Sequence, residues 1–170
     1  MEKVKLKRGD IFTSTNPMAL GRAIMAVEKL WSKDNDADYS HAGIITETEG
    51  ITLESLWRIK AGHIDDYKGD RVLIGRWSGM TNDAFWKGMD AVSDNIGRIY
   101  PFWRLPLFII PFAAKYARST KDTVCSELVA EFMRGAGYPA VSCISGQNPD
   151  DIAEIIEHYK DMEIIYEGVW

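Results

Sequence analysis

The sequence predicts an α+β domain in which helices pack on one face of a largely antiparallel β-sheet. Three observations carry this expectation. Strand-like runs fill most of the first half, and helix-like runs fill the second. Short polar turns rich in Gly and Asp join the strands. No repeat, low-complexity segment or domain-linking stretch interrupts the 170 residues, a length that suits one domain, 1–170, with a sizeable core.

The elements follow in order. "DIFTS" alternates weakly and is the first strand. "PMALGRAIMAVEKLW" sets Leu20, Ile24, Val27 and Trp31 at helical spacing. "SHAGIITET" and "ITLESLW" are β-rich runs joined by "ETEG", whose Gly50 suits a hairpin loop. "RVLIGRW" is a further strand, entered through the polar turn "DDYKGD". "TNDAFWKGMDAVSDNIG" opens on the capping residue Thr81 and closes near Gly97, with Phe85, Met89 and Val92 as its apolar stripe. "TVCSELVAEFMRGAG" is a second helix of this half, ending on Gly135 and Gly137. "NPDDIAEIIEHY" starts with Asn148 as N-cap and Pro149 at the first helical position. "MEIIYEG" supplies a last strand.

Composition narrows the function classes. Hydrophobic residues make up 46% and charged residues 26%, an ordinary globular balance. The net charge of −5 gives a nucleic-acid partner no electrostatic support. The longest apolar stretch, Pro101 to Ala114, carries Arg104 and three prolines. It falls short of the roughly 20 apolar residues that span a bilayer. The basic start "MEKVKLKRGD" runs into a strand without an apolar core or a small-residue cleavage site, so no signal peptide is expected. With two cysteines, Cys125 and Cys143, a disulfide scaffold is not expected, and reduced thiols in a cytoplasmic setting are.

The chemistry centres on Cys125. With Asp122 as N-cap, it falls in the first turn of its helix. Free backbone N–H groups and the positive helix end favour an anion there and make a thiolate more available. The same N–H groups can hold an oxyanion. Cysteine also packs commonly as a small buried hydrophobe, so a nucleophile needs a base beside it. His158 sits late in the last helix, and His63 lies in the polar segment "IKAGHIDDY". His41 opens a strand that turns apolar directly after it, and it is the best base available. Glu54 follows 13 positions later on the next strand. If "ETEG" is the loop, Thr46 pairs with Ile51 and Gly43 lies opposite Glu54. His41 and Glu54 are then diagonal neighbours, roughly 7–8 Å apart between backbones. A tighter two-residue turn would carry Glu54 further away.

"GDIF", "SHAGIIT", "LESLW", "VCSELVAEFMRGAG" and "NPDDIAE", in that order, resemble the circularly permuted NlpC-type papain-like cysteine hydrolases, in their YiiX/YebB-like branch. Those proteins run His, acidic residue, Cys along the chain. The resemblance spans nearly the whole chain. It implies a permuted papain-like fold with Cys125 as nucleophile, His41 as base and Glu54 as the orienting residue. "GRIYPFW" sits where relatives often carry Gly-x-x-Tyr; Tyr100 fits, and Pro101 replaces the acidic residue often found next.

The expected activity is a cysteine hydrolase or acyltransferase acting on an amide or ester, with no cofactor. Its partner would be a peptide-, amide- or acyl-containing substrate, such as a peptidoglycan fragment or a lipid. The segment "YPFWRLPLFIIPFAAKY", Tyr100–Tyr116, is either core filler or an apolar wall beside the site. The alternative is a binding module that keeps the fold without turnover. "DNDADY" at Asp34 departs from a calcium loop, with Tyr39 at its sixth position and Ile45 at its twelfth. No zinc-ligand spacing, nucleophile elbow or phosphate-binding glycine loop is present.

Overall fold

The computed structural model describes residues 4–15, 38–56, 58–97, 125–139 and 148–170. Strands β1 (Ile11–Ser14), β2 (His41–Ile45), β3 (Ile51–Ser55), β4 (Ile59–His63), β5 (Arg71–Trp77) and β6 (Met162–Val169) form one sheet in the order β4-β3-β2-β1-β5-β6. Every neighbouring pair is antiparallel. Three α-helices occur among the described residues: α1 (Asn82–Ser93), α2 (Cys125–Gly135) and α3 (Pro149–His158). The α+β class and the antiparallel sheet are as expected. The expected helix over 17–31, the apolar segment Pro101–Ala114, Tyr100, the Asp34 loop start, Asp122 and Cys143 lie outside the described residues.

Side-chain alternation divides the sheet into two faces. Ile11, Ala42, Ile44, Leu53 and Leu73 pack beneath Phe85 and Val92 of α1, Leu128 and Phe132 of α2, and Ile152 and Ile156 of α3. Phe12, Ile45, Val72 and Ile74 face the other way. There they are covered by Leu6, by Ile64 and Tyr67, and by Ile165, Tyr166 and Trp170 near the C-terminus. The helices therefore take one face, and short segments close the other.

Local chemistry sets the element ends. Thr81 caps α1 by accepting a hydrogen bond from the Ala84 N–H at 3.1 Å. Asn148 and Asp151 form a reciprocal capping box at the start of α3, with Pro149 at its first turn. The loop between β2 and β3 turns on Gly50, whose φ of +96° favours glycine. Thr46 N–H bonds the Ile51 carbonyl at 2.8 Å, and Gly43 lies opposite Glu54, the longer-loop register.

Two elements differ from the expectation. "IKAGH" is not merely polar turn: Ile59–His63 is strand β4, paired along β3 from Ile51↔His63 to Ser55↔Ile59. It lacks hydrophobic alternation because it is an edge strand, so pairing rather than burial makes it a strand. "IDDY" is a short 3₁₀ helix, Ile64–Tyr67. His63 caps it: Nδ1 accepts from the Asp65 N–H at 3.1 Å, and the Asp66 carboxylate accepts from the His63 N–H at 3.3 Å. His63 is thus a capping residue.

Candidate active site

His41 is the first residue of β2 and pairs across the sheet with Ser14 of β1. Glu54 stands on β3 opposite Gly43, which makes it the diagonal neighbour of His41. The two side chains close that diagonal. His41 Nε2 lies 3.0 Å from Glu54 Oε2, with each side chain 3% exposed. Gly43 leaves the room: a Cβ there would stand 2.5 Å from Phe12 Cε1 and 3.1 Å from Glu54 Cγ.

The Glu54 carboxylate has further donors. Tyr67 donates its hydroxyl to Oε2, and Thr52 donates its hydroxyl to Oε1. Thr52 is two residues back on the same strand and therefore on the same face. Gly62 of β4 gives this pair space, since a Cβ there would sit 2.7 Å from Glu54 Oε1 and 3.0 Å from Thr52 Oγ1. The Tyr67 ring stacks on the imidazole at 5.7 Å and 17°. Phe12 packs against both rings, at 6.1 Å from His41 and 5.3 Å from Tyr67.

Cys125 is the first described residue of α2, 5% exposed and free. Its thiol lies close enough to the His41 side chain to act on the imidazole's protonation. Glu54 occupies Nε2, which leaves Nδ1 as the ring nitrogen available to the sulfur. His41 and Glu54 lie with Phe12 and Tyr67 on the sheet face away from the helices, whereas α2 packs on the other face. The contact across that divide is made between the first residue of a strand and the first described residue of a helix.

Burial works against an imidazolium at His41. The hydrogen bonds to Cys125 and Glu54, and the charges of both, outweigh it and raise the pKa from 6.5 to about 9. Burial likewise opposes the Glu54 carboxylate, but the hydrogen bond and charge of His41, with the Thr52 and Tyr67 hydroxyls, hold its pKa below the usual value. Burial first, and then the Glu54 charge and hydrogen bond, push the Tyr67 phenol far up, so it remains a donor.

The three residues singled out from the sequence, Cys125, His41 and Glu54, are thus one connected group. His158 is exposed at the end of α3 and is not part of it. Tyr67 and Thr52 were not anticipated. The period-2 spacing of Thr52 and Glu54 could have revealed Thr52; Tyr67 sits in a polar turn and carried no signal. An arrangement of this kind can hold an imidazolium beside a thiol and deliver or accept a proton there.

Fold and site together define an α+β protein with a buried Cys-His-Glu group at the junction of a helix start and a strand start. No family model matches the chain, and no curated protein matches it in sequence. Solved structures do match. One is the crystal structure of the metalloprotein YiiX from Escherichia coli O157:H7, with a TM-score of 0.55 at 17% identity over 78% of this chain and 67% of that one. The chain has a YiiX-like fold. No helix among the described residues is long and apolar enough to cross a membrane.

Proposed function

We propose that the protein is a cysteine hydrolase or acyltransferase of the permuted papain-like (NlpC-type) class, acting on an amide or ester through Cys125, His41 and Glu54. The 3.0 Å contact of Glu54 with His41, and the nearness of Cys125 to the same imidazole, carry the reading. His41 takes the thiol proton, and the sulfur attacks the substrate carbonyl carbon to form a C–S bond. The carbonyl π pair moves to oxygen, and backbone N–H groups at the start of α2 are the donors available to that oxyanion. The tetrahedral intermediate collapses as the C–N or C–O bond breaks, and the imidazolium protonates the leaving group. Water, or an acceptor amine or alcohol, then gives its proton to His41 and attacks the thioester, and the C–S bond breaks. Glu54 stabilises the imidazolium and fixes which nitrogen faces the sulfur.

The metal of YiiX has no counterpart in the side chains described here. Among the described residues no three His, Cys, Asp or Glu side chains come together to hold a metal ion. His41 and Glu54 bond each other through atoms a metal would need. These residues do not fit a metal, and no step runs through one.

The substrate proposed is peptide-, amide- or acyl-containing, and a peptidoglycan fragment or a lipid both meet that chemistry. Labelling with a panel of electrophiles, followed by peptide mapping, tests the reading. Iodoacetamide at mildly acidic pH should modify Cys125 well before Cys143. Equal rates, or a faster Cys143, would count against a nucleophile at Cys125. Turnover of an amide or ester, lost in Cys125→Ala, separates an enzyme from a binding module with the same fold.

A further inference from the structure

We infer that Tyr67 is a positioning residue that acts on His41 through Glu54. The inference rests on the proposed Cys-His-Glu chemistry and deepens it. Tyr67 touches the group twice. Its hydroxyl donates to Glu54 Oε2, the oxygen that also meets His41 Nε2. Its ring lies nearly parallel to the imidazole, at 5.7 Å and 17°. Two donors on one oxygen lower that oxygen's affinity for a proton. The carboxylate is thereby kept ionised, and the proton of an imidazolium stays on nitrogen rather than passing to Glu54. The ring holds the plane in which Nδ1 presents itself to Cys125.

The segment carrying Tyr67 is built to hold it in place. Its short 3₁₀ helix is closed by the reciprocal His63–Asp66 cap. The ring is wedged against Phe12 as well as His41. The phenol stays protonated, because burial and the adjoining carboxylate both push its pKa up. The other groups facing this cluster are His41 from β2, Cys125 from α2, Asp66 beside Tyr67, and Thr52 on the second carboxylate oxygen. Lys60 of β4 is the register partner of Glu54, with its side chain exposed. Of these, only Tyr67 and His41 share Oε2.

The test is the pH profile of Cys125 alkylation by iodoacetamide in the full chain. Tyr67→Phe keeps the ring and removes the donor. Its acid limb should move to higher pH by about one unit, roughly a tenfold loss of labelling rate on the acid side. Replacing Tyr67 with 3-fluorotyrosine keeps the shape and makes the hydroxyl a stronger donor, so the limb should move the opposite way. A purely structural role would not produce shifts of opposite sign. The fluorinated protein also keeps the test decisive should Tyr67→Phe fold poorly. Glu54→Gln is the control for the underlying reading. If Glu54→Gln moves the profile and neither Tyr67 change does, the assignment of Tyr67 is overturned and the triad stands. If Glu54→Gln leaves the profile unmoved, the proposed triad and this inference fall together.

Discussion

His41 Nε2 lies 3.0 Å from Glu54 Oε2, and both side chains are almost wholly withdrawn from solvent. A buried pair of this kind is costly unless each partner's remaining polar atoms are satisfied. Here they are: Cys125 takes the other side of His41, and Tyr67 and Thr52 take the carboxylate. The pair therefore behaves as part of a network.

Cys125→Ala and His41→Ala should each reduce turnover at least about a thousandfold. The double variant should lose little more, because groups acting as one unit are not additive. Glu54→Gln should show a smaller loss, on the order of a hundredfold, since it keeps an acceptor for the imidazole and loses only the charge. Steady-state kinetics on an amide or ester substrate read all four. Additive losses in the double variant would argue that the two residues work separately. Glu47 and Asp38, two other acidic residues near His41 in the sequence, pair with Arg8 and Arg71, so neither is expected to replace Glu54.

Stability should depend on pH in two limbs. The folded pKa of His41 is raised from 6.5 to about 9, so its contribution is complete below about pH 6.5 and fades as pH rises through 9. The folded pKa of Glu54 is lowered from 4.5, so its contribution is present above about pH 4.5 and is lost as pH falls through the folded value. Urea midpoints should therefore peak between about pH 4.5 and 6.5. In Glu54→Gln the alkaline limb should shrink, because the imidazolium loses a partner. A variant with the native alkaline limb would assign that limb to other groups.

Gly62→Ala should impair the site more than the fold. The added methyl would stand 2.7 Å from Glu54 Oε1 and 3.0 Å from Thr52 Oγ1, and the held carboxylate must shift. Gly62 is not among the residues with positive φ, so alanine introduces no backbone strain. The expected cost is about 1–2 kcal/mol of stability, with a clear fall in the Cys125 alkylation rate. An unchanged rate would indicate that the carboxylate's position does not govern the thiol.

Arg76→Ala should destabilise the domain by about 3 kcal/mol in urea titrations without altering the alkylation profile. Asp10 is fully buried and is gripped by Arg76 through contacts of 2.7 and 2.8 Å, with the Lys7 N–H at 2.8 Å on the same carboxylate. Removing the arginine strands a buried charge. Asp10→Asn together with Arg76→Ala should recover part of the loss, and failure to recover any would place the effect elsewhere.

What the sequence determined by itself is short in range. Caps at Thr81 and Asn148 are local hydrogen bonds, legible from residue type and spacing. The hairpin register that joins His41 to Glu54 is set by a loop five residues long, so a count along the chain offered it as one of two registers, and the folded hairpin takes the longer loop. Tertiary structure decided the rest. Strand β4 exists because β3 offers its edge, and its own residues carry no alternation that would announce it. Side-chain alternation put His41 and Glu54 on the face away from α2, and only the folded chain shows that Cys125 still reaches the imidazole, through the ends of their two elements. Tyr67 joins the site because a 3₁₀ turn folds its ring under the sheet. Contacts of that kind link elements distant in the chain and depend on how whole faces pack, which no local pattern of residues specifies.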